Sequence, residues 1–471
     1  MTTRGPRGPR EGIAVRRVVS IARSSKEIVM SVRVTVSSCA LVLVFAALVA
    51  PSLTHAQEPA LAGLRAATKA ARNDARAATA LGRGLLHAGR YREAEAELRR
   101  AARLARNAPE ALYAVATVAF AQGDYRRAQA ACRPLAGARG AAPGTWGRLC
   151  NAQTFLVWNR SSRAFEELEA GLAAAPNQPD LLIALGEAHR LRAAVAESEA
   201  AFQRALAADP ARAEAMLGLG RLYAAAGRRS DAEAALRRAA QADATDPEIQ
   251  YELGRLLGGT DEAHQLLERA AAGRPAWAEA QVALGESFLA SGDAPSAEAA
   301  FAQALRLNAR LAAAHTGLGR AKAARGDLAG AEASLREALE LVPNSPEGAR
   351  ALAGVLAQRQ DYEGAFEQYR HAADLDPRNP SALILAARLA ITANRDVLAA
   401  GFLDRVLEAH PEQPEGLALY GDIMRVRADR AAARTYYERA LRARGENPER
   451  ARVEAALREL GPATPPARPR R

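Results

Sequence analysis

The chain has 471 residues, 49% of them apolar but only 5% aromatic, with a formal net charge of +11. Ala, Leu, Arg and Glu dominate and strand-forming residues are scarce, a composition that favours helices throughout. The charge sits at the ends: seven Arg and one Lys against two Glu in residues 1–56, then Arg468, Arg470 and Arg471, which leaves the middle too dilute for a phosphate-tracking surface and excludes nucleic acid as the expected partner.

Residues 1–29 read as a basic disordered extension, or as untranslated if Met30 is the true start. Residues 30–56 read as a signal peptide. No charge occurs from Val34 to Leu53, Cys39 to Ala50 is an unbroken apolar run, and Thr54-His55-Ala56 supplies small residues ahead of cleavage before Gln57. The apolar core is short for a membrane span, although the whole uncharged window suffices for an uncleaved anchor. The expected location is therefore periplasmic or secreted, with a membrane-anchored protein facing the periplasm as the alternative. Residues 57–74, around Leu61 and Leu64, are expected to form an opening helix or linker.

From Ala75 onward the chain repeats. Leu-Gly pairs recur at Leu81-Gly82, Leu185-Gly186, Leu219-Gly220, Leu253-Gly254, Leu284-Gly285 and Leu318-Gly319, mostly at a 34-residue separation. Each is followed by Ala-x3-(Phe/Leu/Tyr)-x2-Ala, as in Ala297, Phe301 and Ala304, or Ala365, Tyr369 and Ala372. Large residues at the fourth, seventh and eleventh places share one face of a first helix. The small eighth residue lets a second helix approach, and Gly285 is expected to meet Ala297. Gly-polar pairs such as Gly123-Asp124 and Gly292-Asp293 read as a helix end followed by a new helix start.

This pattern resembles the tetratricopeptide repeat family over most of residues 75–447. The resemblance implies an all-α, right-handed superhelical solenoid of about eleven repeats, opening at Ala75, Pro109, Pro143, Pro179, Ala213, Pro247, Ala278, Ala312, Pro346, Pro380 and Pro414. The sixth repeat is short by three residues around Gly258-Gly259-Thr260, and the third carries two extra residues before Ala164. Residues 448–460 read as a capping helix and 461–471 as a disordered basic tail.

Candidate chemistry is absent from the sequence pattern. The seven His occur at most one per repeat with no metal-ligand spacing, and Gly218-x-Gly220 lacks the rest of a phosphate loop. No catalytic, cofactor-binding or metal site is expected, and the protein reads as a non-enzyme. Within the resemblance, Cys132 and Cys150 fall on neighbouring helices, either as a disulfide or as two buried thiols. The family's ligand-contacting places map to Arg83, Tyr113, Phe120, Asn151, Glu187, Arg221, Tyr251, Arg255, Glu286, Arg320 and Arg388, a mixed groove for a protein or peptide ligand. The implied function is an exported scaffold for complex assembly. The alternative is a membrane-tethered accessory of a secretion or polysaccharide-export machine, touching the membrane only through an uncleaved amino-terminal segment.

Overall fold

A computed structural model describes residues 58–135, 144–443 and 447–461, all within the body Pro51–Arg471. The expected extension, signal peptide and basic tail lie outside the described residues, as does Pro143. Among the described residues there is no strand, and no helix is long and apolar enough to cross a membrane.

After α1 (Glu58–Ala70) come helical pairs: α2 (Ala75–His87) with α3 (Tyr91–Leu104), α4 (Pro109–Ala121) with α5 (Tyr125–Cys132), and α6 (Thr145–Val157) with α7 (Ser161–Ala174). They continue as α8 (Pro179–Leu191) with α9 (Val195–Ala208), α10 (Ala213–Ala225) with α11 (Arg229–Ala242), and α12 (Pro247–Leu257) with α13 (Asp261–Gly273). Next are α14 (Ala278–Ser291) with α15 (Ala294–Leu307), α16 (Ala312–Ala324) with α17 (Leu328–Leu341), and α18 (Pro346–Gln358) with α19 (Tyr362–Leu375). The last pairs are α20 (Ser381–Thr392) with α21 (Asp396–Ala409) and α22 (Pro414–Val426) with α23 (Arg430–Arg442), before α24 (Arg450–Glu459). Each first helix packs on its own second helix, and each second helix packs on the first helix of the following pair, the arrangement of an all-α solenoid.

The helix boundaries follow local chemistry. Pro stands at the first turn of α4, α8, α12, α18 and α22, where its missing N–H is no loss. Within a pair, α14 ends at Gly292 in the left-handed region (φ 85°), and Asp293 then accepts the Ser296 N–H at 3.1 Å to start α15. The shortened sixth pair turns at Gly258 (φ 71°). The backbone behind it is close: a Cβ on Gly259 would lie 2.7 Å from the Ser291 nitrogen.

Packing within a pair depends on the glycine at the eighth place. The Phe301 ring, one helical turn beyond Ala297, covers Gly285, and a Cβ there would sit 2.8 Å from it. The same ring also covers Gly317 of the following pair, at 2.2 Å from a would-be Cβ. Phe202 is held in the same way between Gly186 and Gly218, and both rings are fully buried. Leu98 over Gly82, Leu236 over Gly220, Leu335 over Gly319 and Tyr437 over Gly421 repeat the half of this arrangement that lies within one pair. At the end, Val453 and Ala456 of α24 cover the Tyr437 and Ala440 face that no further pair buries.

Where α5 is only 8 residues long, a Cys132–Cys150 disulfide joins it to α6, with Cα atoms 5.9 Å apart. Ala116, Leu135 and Phe120 pack around the bond.

Gly317→Ala and Gly218→Ala are each expected to cost about 1–3 kcal/mol, because a methyl group enters the space of a buried ring. Gly401→Ala, at an exposed helical position with nothing within 4 Å of the new atom, is expected to gain roughly 0.5–1 kcal/mol. Chemical denaturation of the three variants checks this, and unchanged midpoints for the first two would remove the interlock.

Candidate interaction groove

The first helices of successive pairs place their second, fifth and ninth residues in register along one side of the solenoid. Tyr251 and Arg255 of α12, Glu279, Val282 and Glu286 of α14, and Leu311 and Ala313 at the start of α16 line one pocket of about 420 Å3. Its floor is Gly254, Gly258 and Leu267. Tyr251 lies against Trp277 with ring centroids 4.5 Å apart, and the Arg255 guanidinium sits over Tyr251 at 5.3 Å. A second pocket of about 440 Å3 follows along α16, α18 and α20, lined among others by Arg320, Glu347, Arg350, Gly354, Tyr369 and Leu385.

The ninth-place cations are already engaged. Arg83 lies 4.0 Å from Glu110, Arg221 lies 3.0 Å from Glu248, and Arg388 lies 2.8 Å from Glu415. In these three cases the carboxylate belongs to the second place of the following pair, whereas Arg255 and Arg320, which are also followed by a second-place Glu, pair elsewhere. Arg221 also meets Glu252 at 2.8 Å, and Arg320 meets Glu286 of the preceding pair at 2.6 Å. Arg255 reaches Glu252 at 3.4 Å. Glu187 pairs with Arg190, and Asn151 donates to Glu167 at 3.2 Å. By contrast Arg350, at the fifth place of α18, has no carboxylate partner among the described residues. That residue and Val282 were missed by a reading that favoured ninth places, although the same register contains both.

Both ends of the groove are filled from within the chain. At the carboxyl end Glu449, beside α24, bonds Arg388, and Arg452 of α24 meets Asp422 at 2.7 Å. At the amino end the curvature brings the first pair back against the sixth. The Arg274 Nε donates to the His87 carbonyl oxygen at 2.8 Å across 187 residues. Tyr113 lies deep in this turn, 5.3 Å from Trp146 by centroid; burial raises its pKa, with the Asp180 charge acting in the same direction. Phe120 is half-buried and packs on the disulfide cluster. The open stretch thus runs from Tyr251 to Leu385.

Two sets of family matches cover this chain, both described as tetratricopeptide repeat: one over residues 190–256 and 356–423, the other over 79–144, 257–312, 282–349 and 316–380. No curated protein is significantly similar in sequence. Among solved structures, yeast Tom70 is similar at 13% identity and a TM-score of 0.46, covering 86% of this chain and 92% of that one. The Cut9 and Hcn1 hetero-tetramer of the APC/C matches at 13% identity and 0.42, over 83% and 90%. A thermophilic TPR protein of Thermus thermophilus matches at 27% identity and 0.36, over 38% of this chain and 99% of that one.

The double pairing of Arg221 has a pH signature. Burial pushes the Glu248 pKa up, but Arg274 and Arg221 outweigh it and hold the carboxyl below its ordinary value. A depressed folded-state pKa means the stabilisation is complete above the unfolded-state value of about 4.3 and is lost as pH falls through the folded one. Arg221→Met is therefore expected to lower the melting temperature at pH 7, with the gap to wild type narrowing as the pH falls below the unfolded-state value. A gap that stays constant with pH, or no gap at neutral pH, contradicts this assignment.

Proposed function

The chain belongs to the tetratricopeptide repeat family, and on that footing we propose that it is an interaction scaffold whose groove between Tyr251 and Leu385 holds an extended segment of a partner protein. The observation that carries this is the pair of successive pockets on the same register of first helices. The first offers an aromatic and aliphatic wall from Tyr251, Val282 and Leu311, suited to an apolar side chain. The second offers Arg350, a guanidinium with no internal carboxylate to displace, suited to an acidic side chain or a terminal carboxylate. Fixed first helices hold both pockets without needing the groove to reorganise, which lowers the cost of binding. The scaffold works by holding and assembling partners, with no chemistry of its own.

Export is part of the same proposal. The apolar segment of residues 30–56 supports delivery to the periplasm, and a disulfide between Cys132 and Cys150 is at home in an oxidising compartment. Fractionation of the native host, with the chain's amino terminus sequenced, is expected to find it on the periplasmic side and beginning at Gln57.

The groove is tested by crosslinking partners from the native envelope and measuring the affinity of the recovered segment. Arg350→Ala and Val282→Asp are each expected to weaken it about tenfold or more, as loss of a charge-assisted hydrogen bond or of an apolar pocket does. Arg370→Ala, on a second helix outside the groove, is expected to leave it unchanged. Equal affinity for all three variants moves the binding surface off the groove.

A further inference from the structure

The place where the first pair returns to the sixth carries more than a packing contact. His87 ends α2, while Asp243 and Asp246 lie in the loop between α11 and α12. One ligand atom from each of the three falls within 4.8 Å of the others. We propose that His87, Asp243 and Asp246 form a binding site for a divalent transition-metal cation, with Zn2+ the best match, and that the cation clasps the first pair to the sixth.

Distance argues for it. The His87 Nδ1 and the Asp246 Oδ2 are 3.8 Å apart. That is too long for a hydrogen bond, which needs about 2.7–3.2 Å. It is close to the separation of two ligands around one cation held by bonds of about 2.0–2.2 Å. One imidazole with two carboxylates is a borderline donor set, softer than the all-oxygen sites of Ca2+ or Mg2+.

Orientation argues for it independently. The Oδ1 of Asp246 accepts the Glu248 N–H at 2.7 Å, which turns its Oδ2 towards His87. The Oδ1 of Asp243 accepts from the Thr245 N–H at 2.9 Å and from the Thr245 hydroxyl at 2.8 Å. Both carboxylates are thus fixed from behind, as ligating carboxylates are. Gln250 braces the same loop by donating to the Ala244 carbonyl at 2.7 Å, and its buried Oε1 has no partner.

The charges agree as well. The nearby guanidiniums of Arg274 and Arg221 are taken up by Glu248 and Glu252. Among the described residues, neither Asp243 nor Asp246 pairs with a Lys or Arg. Asp246 is buried, only 7% exposed, and faces an imidazole in place of a fixed cation. His87 remains half-buried, so an ion has a route in and water can complete its coordination. Spacing along the chain gives no sign of such a site, because its ligands come from opposite sides of a closed turn of the solenoid.

The test uses the full chain without an affinity tag. Equilibrium dialysis against Zn2+ and thermal melts with and without the ion are run on wild type and on His87→Gln, Asp246→Asn and His189→Ala. The asparagine keeps an acceptor for the Glu248 N–H, so helix α12 retains its cap. Wild type and His189→Ala are expected to bind about one equivalent and to melt higher with Zn2+. His87→Gln and Asp246→Asn are expected to lose that equivalent and the shift while remaining helical by circular dichroism. No stoichiometric binding by wild type, or equal binding by His87→Gln, overturns the proposal. So does a bound equivalent that leaves the melting temperature where it was.

Discussion

A bulky side chain from a second helix needs somewhere to go, and in this chain it goes between two glycines. Phe301 fills the space that Gly285 leaves on its own pair and that Gly317 leaves on the next, so one ring fixes both the closure of a hairpin and the stacking of its neighbour. Phe202 does the same for the fourth and fifth pairs. A solenoid has no central core to fall back on, and its stability is a sum of hairpin and interface terms. Where one residue serves both terms, local errors spread to the next pair.

The second consequence of this stacking is the inner surface. Because the pairs repeat in register, some ninth-place cations meet the second-place carboxylate of the following pair, at Arg83, Arg221 and Arg388. These pairs consume the charges that would otherwise greet a ligand. With α24 covering one end and the closed turn occupying the other, the stretch between Tyr251 and Leu385 stays open, and it is there that we propose a partner binds. The groove is thus defined as much by where the protein has satisfied itself as by where it has not.

Much of the fold was legible in the sequence for a physical reason. The Leu-Gly pairs and the Ala-x3-aromatic strings are the packing surfaces themselves, so their period is the period of the helical pairs. What lay one helical turn away was less clear: the Phe301 ring, one turn beyond Ala297, covers Gly285, because the side chain leans along its helix before it makes contact. The groove was legible only as a list of places. Arg221 reads as a free guanidinium until the next pair supplies Glu248, and Arg350 draws no notice until its lack of such a partner is seen. The return of Arg274 to His87 depends on curvature summed over several pairs, which no local pattern encodes.

Phe301 couples the pair it closes to the pair that follows. A double-mutant cycle between Phe301→Leu and Gly317→Ala, followed by denaturant unfolding, measures that coupling directly. The smaller leucine is expected to relieve the new methyl group, so that the double variant is more stable than the two separate losses imply by about 1 kcal/mol or more. Strictly additive losses would show that the ring and the glycine of the next pair act independently, and would contradict it.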